Sequence, residues 1–139
     1  MINSRNLTDL HPRAMAKAKA FRKHCQAFHG IDVLIYCTYR DNEQQNYLYA
    51  QGRTRPGRKV TNAKGGQSEH NYRIAWDCVP MMGGKTMWGD KKSYKLMGAV
   101  AATLGILWAG AWKGKFKETA HFSFRDGHPL SYFKKGGKL

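Results

Sequence analysis

Acidic residues are scarce: 9 Asp and Glu stand against 24 Lys and Arg in 139 residues, a formal charge of +15 at pH 7. A field of that sign attracts polyanions and repels cationic partners, so an anionic partner is expected. Long apolar runs are missing as well. No stretch approaches the roughly 20 apolar residues a membrane span needs, which argues against stable membrane insertion. The opening residues, MINSRNLTDLHPRAMAK, lack the apolar run of a secretory signal, so the chain is expected to be soluble when made. Cysteine is limited to Cys25, Cys37 and Cys78, an odd number with no CxxC pair. That excludes a disulfide framework and reads as reduced thiols in the core, dispensable for chemistry.

What is present suffices for one globular domain over residues 1 to 139. Apolar residues make up 42% and aromatics 12% of the chain, enough to bury a core that offsets the ordering entropy. Met15, Ala18, Phe21, Cys25 and Phe28 recur at helical spacing between basic residues, predicting a helix over 12–28 that ends at Gly30. Residues 32–39 are rich in β-branched and aromatic types and predict a buried strand with Arg40 at its exit. Asp41 is a suitable N-cap for a second helix over 41–52. Residues 53–67 carry Gly, Pro and base with no periodicity, a loop whose length points to function. A second strand is expected over 73–79, a third helix over 92–105 and a third strand over 119–125. The fold class is therefore α+β, a small antiparallel sheet flanked by helices.

Six histidines occur. His24 and His29 suit the end of a basic helix, where an imidazole interacts well with the dipole, and His11 and His128 fall in solvated turn-like segments. His70 and His121 stand apart because each has a carboxylate nearby. His70 precedes Asp77 by seven residues, about 10 Å along a helix or about 23 Å along a strand. Neither element brings the two onto one ion, so the chain must turn, with Asn71 to Arg73 the natural place and Asp77 on the strand that follows. Ile74 and Trp76 then share one face and Ala75 and Asp77 the other, small Ala75 leaving room beside an ion. Glu118 precedes His121 by three, an odd spacing that would divide them between the faces of a strand, so Glu118 belongs to the turn before it. Three protein ligands leave zinc an open position for water, whose pKa the ion lowers toward about 7, and a carboxylate within reach can take that proton.

These residues together resemble the zinc D-alanyl-D-alanine carboxypeptidases and L-alanyl-D-glutamate endopeptidases, a family that includes small phage endolysins and vancomycin-resistance peptidases. The pattern runs Ser68-Glu69-His70 to Asp77, then Glu118-Thr119-Ala120-His121-Phe122. An earlier segment matches at Tyr39-Arg40, Gln44, Leu48-Tyr49 and Gln51-Gly52-Arg53, and Trp108-x-Gly110-x-Trp112 fits the tryptophan motif before the last histidine. The resemblance covers about residues 10 to 125, and the ordered conjunction is far more specific than any single piece. It implies a Hedgehog/D,D-peptidase-like fold with zinc at the sheet, bound by His70, Asp77 and His121. Glu118 is implied as general base and Arg40 as the group facing the scissile carbonyl; Glu69, beside the first ligand, is the next candidate for the base on position alone. Ser68 and Gln44 would help hold the peptide. Position 73, usually Gly in the family, is Arg73, which leaves the loop geometry open or makes Arg73 a contact to substrate.

Two function classes compete. A zinc peptidase acting on peptidoglycan would be concentrated by its charge on the anionic wall, with no separate wall-binding domain. A nucleic-acid-binding module would also combine base with Trp and Tyr, but it leaves the His, Asp, Glu, His order unexplained and no zinc-finger or helix-turn-helix pattern supports it. Within the peptidases, small size, basicity and the lack of a signal look more like phage endolysins, which the resemblance associates with cleavage between L-alanine and D-glutamate; a monomer is expected, and a D,D-carboxypeptidase is the alternative. Such a chain would wait in the host cytoplasm and reach the wall during lysis.

Overall fold

The computed structural model describes residues 1–112 and 118–139. Among the described residues, four α-helices, α1 (Pro12–His29), α2 (Asn42–Ala50), α3 (Lys91–Thr103) and α4 (Leu130–Lys134), surround strands β1 (Asp32–Cys37), β2 (Ala75–Met82), β3 (Lys85–Thr86), β4 (Leu107–Trp108) and β5 (His121–Ser123). The strands form one antiparallel sheet in the order β1-β2-β5-β4, with β3 added to β2. This is the α+β architecture expected from the sequence.

The core lies between the sheet, α1 and α3. Ala14, Ala18, Phe21 and Cys25 form the buried stripe of α1, and Tyr94, Met97, Val100 and Ala101 that of α3. Between them lie Trp76 and Phe122, opposite one another on β2 and β5 and both fully buried. Phe21 touches both rings, at centroid distances of 6.1 and 4.7 Å. Phe28, expected on the α1 stripe, is instead exposed and packs edge-on to His24. Gly30 ends α1 in the left-handed conformation, and the Asp41 side chain caps α2 by accepting from the Gln44 N–H. His11, expected to be solvated, caps α1 by accepting from the Arg13 N–H, and His128 stacks on Tyr132 at 3.8 Å.

The strands differ from expectation at their ends for local reasons. β1 stops at Cys37 because Thr38 and Tyr39 exchange backbone hydrogen bonds with Ser4. β2 starts only at Ala75, since Arg73 is left-handed (φ 61°), and runs on to Met82 through pairing with β1 and β3. β5 is shortened because Thr119 and Ala120 turn before it. The short β3, β4 and α4 have no periodicity long enough to be read in the sequence.

The tryptophan motif acquires a physical reason here. Trp108 pairs with Phe122 across β4 and β5, stacks on it, and donates its indole N–H to Thr119 O at 2.8 Å. Gly98 of α3 and Gly110 sit against the indole so closely that a Cβ on either would lie 2.2 Å from a ring atom. Trp108 thus braces the turn that carries Glu118 into His121. Gly110→Ala is expected to destabilise the protein by about 1–3 kcal/mol through overpacking, read as a lowered melting temperature.

Candidate active site

The sheet builds the site by register. Asp77 of β2 lies opposite His121 of β5 on one side and opposite Cys37 of β1 on the other. Side chains of directly opposed residues share a face. The Ile35–Cys37 step is irregular, and it is this bulge that brings Cys37 level with Asp77. The row beginning at Trp76 and Phe122 faces the core, so the row beginning at Asp77 and His121 faces the other way, as the alternation predicts.

His70 arrives from a different element. Ser68 caps the 3-10 helix Glu69–Tyr72, its hydroxyl accepting from the His70 N–H while the Asn71 side chain accepts from the Ser68 N–H. Asn71 also donates to Arg40 O, and Arg40 N–H donates to His70 O, which ties this turn to the exit of β1. The turn between His70 and Asp77 therefore exists where the spacing requires it, and Arg73 completes it.

Three ring and carboxylate contacts define the centre. His70 Nε2 is 3.1 Å and His121 Nδ1 is 3.0 Å from the same oxygen, Asp77 Oδ1. His70 Nδ1 is 2.8 Å from Thr38 O. A carbonyl can only accept, so Nδ1 carries a proton, and Nε2 is the ring nitrogen turned toward Asp77. That Nε2 is buried and makes no hydrogen bond. Two imidazole nitrogens converging on one carboxylate oxygen demand positive charge between them. The ionisation behaviour agrees. Burial disfavours charge on Asp77, but positive charge at the neighbouring His70 and the hydrogen bond with His121 hold it far below the usual carboxylate range. Burial likewise opposes protonation of His121, yet Asp77 and Glu69 raise it to about 9, and His70, under the same opposition, is raised well above its ordinary value by Asp77 and Cys37. An unpartnered buried nitrogen, a second imidazole and a carboxylate oxygen make a donor set suited to zinc.

Cys37, read from sequence as a core residue, borders this centre. Its Sγ, a His70 nitrogen and an Asp77 oxygen lie within 4.8 Å of one another. The thiol sits on the Nδ1 side of His70, at 3.7 Å, and accepts from Arg40 Nη2 at 3.3 Å. It therefore packs behind the imidazole whose free nitrogen faces Asp77 and His121. Cys25 and Cys78 do belong to the core, and burial pushes the Cys25 thiol up to about 12.

An open cleft of about 820 Å³ exposes the centre. Arg40, Ser68, His70, Asp77, Glu118 and His121 all line it, with Thr61 to Ala63 of the long loop forming part of the wall. Glu118 Oε2 is 3.9 Å from His121 Nδ1, and its side chain is 56% exposed. Its backbone N–H is anchored on Ala109 O. The neighbouring Lys113, Lys115 and Lys117, the partners of a purely solvated Glu118, lie outside the described residues. Arg40 reaches toward Asp77, with Nη2 4.0 Å from Oδ2, and donates from Nη1 to Gln45 Oε1 at 2.9 Å.

Two residues expected to contact substrate lie away from the cleft. Gln44 does not line the cleft; its backbone N–H is spent on the Asp41 cap, and the fully buried Gln45 is the residue that points inward, bonding Arg40 and Ala63 O. Adjacent glutamines on a helix face different directions, and spacing alone does not say which one faces in. Arg73 is away from the cleft as well. Its guanidinium stacks on Tyr39 at 3.7 Å and donates to Asp9 O at 2.9 Å. These contacts hold a non-glycine residue in the left-handed conformation that explains a glycine there. Glu69, the alternative base, is buried and has both oxygens engaged, one by His121 Nε2 and the other by Arg125 Nε. Burial opposes its ionisation, but His121, Ser123 and Arg125 lower it to about 2. Sequence reasoning missed Arg125 and the structural part of Glu69; the Ser68-Glu69-His70 run was the available signal.

Among known proteins, the VanY profile, described as D-alanyl-D-alanine carboxypeptidase, matches residues 7–126. The peptidoglycan L-alanyl-D-glutamate endopeptidase CwlK of Bacillus subtilis (strain 168) is 38% identical over 123 residues, 82% of this chain and 72% of that protein. The L-alanyl-D-glutamate peptidase of Listeria phage A118 is 33% identical over 138 residues, 96% of this chain, which spans only 46% of that longer protein. A crystal structure of the vancomycin-resistance D,D-pentapeptidase VanY in complex with Zn(II) has the same fold, with a TM-score of 0.62 at 16% identity over 83% of this chain and 72% of that one. With His70, Asp77, Glu118 and His121 gathered into one cleft and 120 of its residues, 7 through 126, aligned to the profile, the chain belongs to the VanY family of peptidases.

Proposed function

We propose that this chain is a phage-type endolysin, a zinc peptidase that hydrolyses the bond between L-alanine and D-glutamate in peptidoglycan stem peptides. The observation that carries the reading is the meeting of His70 Nε2 and His121 Nδ1 on Asp77 Oδ1, beside Glu118, on the wall of an open cleft. The names of the Bacillus and Listeria phage relatives support the bond assigned, and the second supports a phage setting. Zinc, where bound by His70, Asp77 and His121, supplies a Lewis acid that polarises an amide carbonyl and acidifies water.

The chain's own residues do the rest. Glu118 is placed to take the proton of the attacking water and return it to the leaving amine. Arg40 is permanently charged, so it stabilises the oxyanion that develops on the scissile carbonyl, and Cys37 and Gln45 hold it in place. Ser68 serves chiefly to cap the turn that presents His70, with its side chain at the cleft wall for the peptide. In this reading the enzyme acts as a monomer, its charge of +15 gathers it on the anionic wall, and it stays in the host cytoplasm until the membrane fails. The description of the matching profile favours a second reading, a D,D-carboxypeptidase that removes terminal D-alanine.

The lysis role is tested by producing the chain in the cytoplasm of a susceptible bacterium. Cells are expected to stay intact until the membrane is permeabilised and then to lose turbidity within minutes, with the Glu118→Gln protein inert. Intact cells after permeabilisation, with active protein recovered from them, would reject the endolysin role.

A further inference from the structure

We propose that Glu69 and Arg125 are a positioning pair that fixes the tautomer and the aim of His121, so that its Nδ1 faces the cation. The inference rests on the zinc reading above and adds two residues to it. The His121 ring lies between two carboxylates, Glu69 Oε1 at 2.8 Å from Nε2 and Asp77 Oδ1 at 3.0 Å from Nδ1. A neutral imidazole has one N–H to donate. Asp77 Oδ1 already faces Nε2 of His70, so a proton on His121 Nδ1 would occupy the point where the two rings and Asp77 converge. Glu69 offers the other place for it. It is 4% exposed and serves as an acceptor for Nε2–H. A metal-bound histidine that donates its second N–H to a carboxylate is held in one tautomer and becomes a stronger ligand.

Arg125 holds that acceptor in place. It engages the carboxylate oxygen that His121 leaves free, so the Glu69 side chain is fixed at both oxygens. The Arg125 Nε to Glu69 Oε2 distance is 2.6 Å. Arg125 lies two residues beyond β5, whose first residue is His121, while Glu69 directly precedes His70. The pair therefore ties the turn that carries one imidazole to the strand that carries the other, fixing both rings relative to Asp77.

The test is zinc affinity, measured by competition with a chromogenic chelator on the full chain, for the parent protein and for Glu69→Gln, Glu69→Ala, Arg125→Lys and Arg125→Met. Folding is checked by circular dichroism on each sample. Glu69→Ala is expected to weaken zinc binding by about 10–100-fold. Glu69→Gln should lose less, because its amide oxygen can still accept, and Arg125→Lys should recover part of what Arg125→Met loses. Long-range proton–nitrogen spectra of the zinc-loaded parent should show a protonated Nε2 on His121. Folded Glu69→Ala and Arg125→Met proteins that bind zinc within twofold of the parent, or a His121 protonated at Nδ1, would overturn the positioning role while the zinc reading stands. If the Glu69 variants do not fold, the Arg125 pair gives the same decision. A folded parent that fails to bind zinc would reject both readings.

Discussion

Glu118→Gln is expected to lower kcat on purified peptidoglycan by about 10²–10⁴, the usual worth of a positioned general base, while zinc content, fold and wall binding stay at parental levels. The substitution keeps the shape of the side chain and removes its basicity. Glu118 occupies the position such a base needs: it lies at the cleft, 3.9 Å from His121 Nδ1, with its backbone anchored on Ala109 and its turn braced by Trp108. An exposed carboxylate that only pairs with lysines would behave differently. Its loss would shift stability by less than about 1 kcal/mol and leave turnover intact. Assaying kcat and zinc on one sample separates the two. Turnover close to that of the parent in a zinc-loaded variant would move the base elsewhere, and Glu69 is not free to take the part.

Removing the metal, or its first ligand, should have the other large effect. Stripping the protein with EDTA is expected to abolish hydrolysis, and adding zinc to restore it. His70→Ala should fail to bind zinc stoichiometrically at the parental affinity, because the variant loses a buried nitrogen that has no hydrogen-bond partner of its own and leaves Thr38 O without its donor. It should also lose the stabilisation that zinc confers on the parent, about 4 kcal/mol when free zinc is a thousand times Kd. Melting curves with and without zinc measure this: the parent melts higher with the metal and the variant does not. A zinc-dependent rise of parental size in His70→Ala would count against His70 as a ligand.

Much of this centre is legible in the amino-acid sequence. The seven-residue gap from His70 to Asp77 forces a turn, and the turn is there, closed by Arg73. The odd spacing of Glu118 and His121 requires Glu118 to precede the strand, and it does. Local pattern cannot supply the cross-strand register. Asp77 meets His121 across 44 positions of sequence, and Cys37 meets Asp77 only because β1 bulges. The orientation of short turns is equally hidden. Glu69 and His70 are neighbours in a single 3-10 turn, yet one reaches His121 Nε2 and the other Asp77, a division set by how the turn packs on β2. Gln44 and Gln45 show the same limit, since helical periodicity in a nine-residue helix with one buried residue is too weak to choose between neighbours. Arg73 is the converse case, in which its side chain finds partners in Tyr39 and Asp9 that offset the cost of its backbone.

The identity of the peptide bond that is cut tests the zinc endopeptidase assignment most directly. Purified peptidoglycan is digested with the zinc-loaded protein and, in parallel, with protein kept metal-free, and the new amino and carboxyl ends are located by mass spectrometry. New ends at L-alanine and D-glutamate are expected in the zinc-loaded digest and none in the metal-free one. Release of D-alanine alone would assign the chain to the carboxypeptidase reading, and full cleavage by rigorously metal-free protein, or none by the zinc-loaded form, would contradict the assignment.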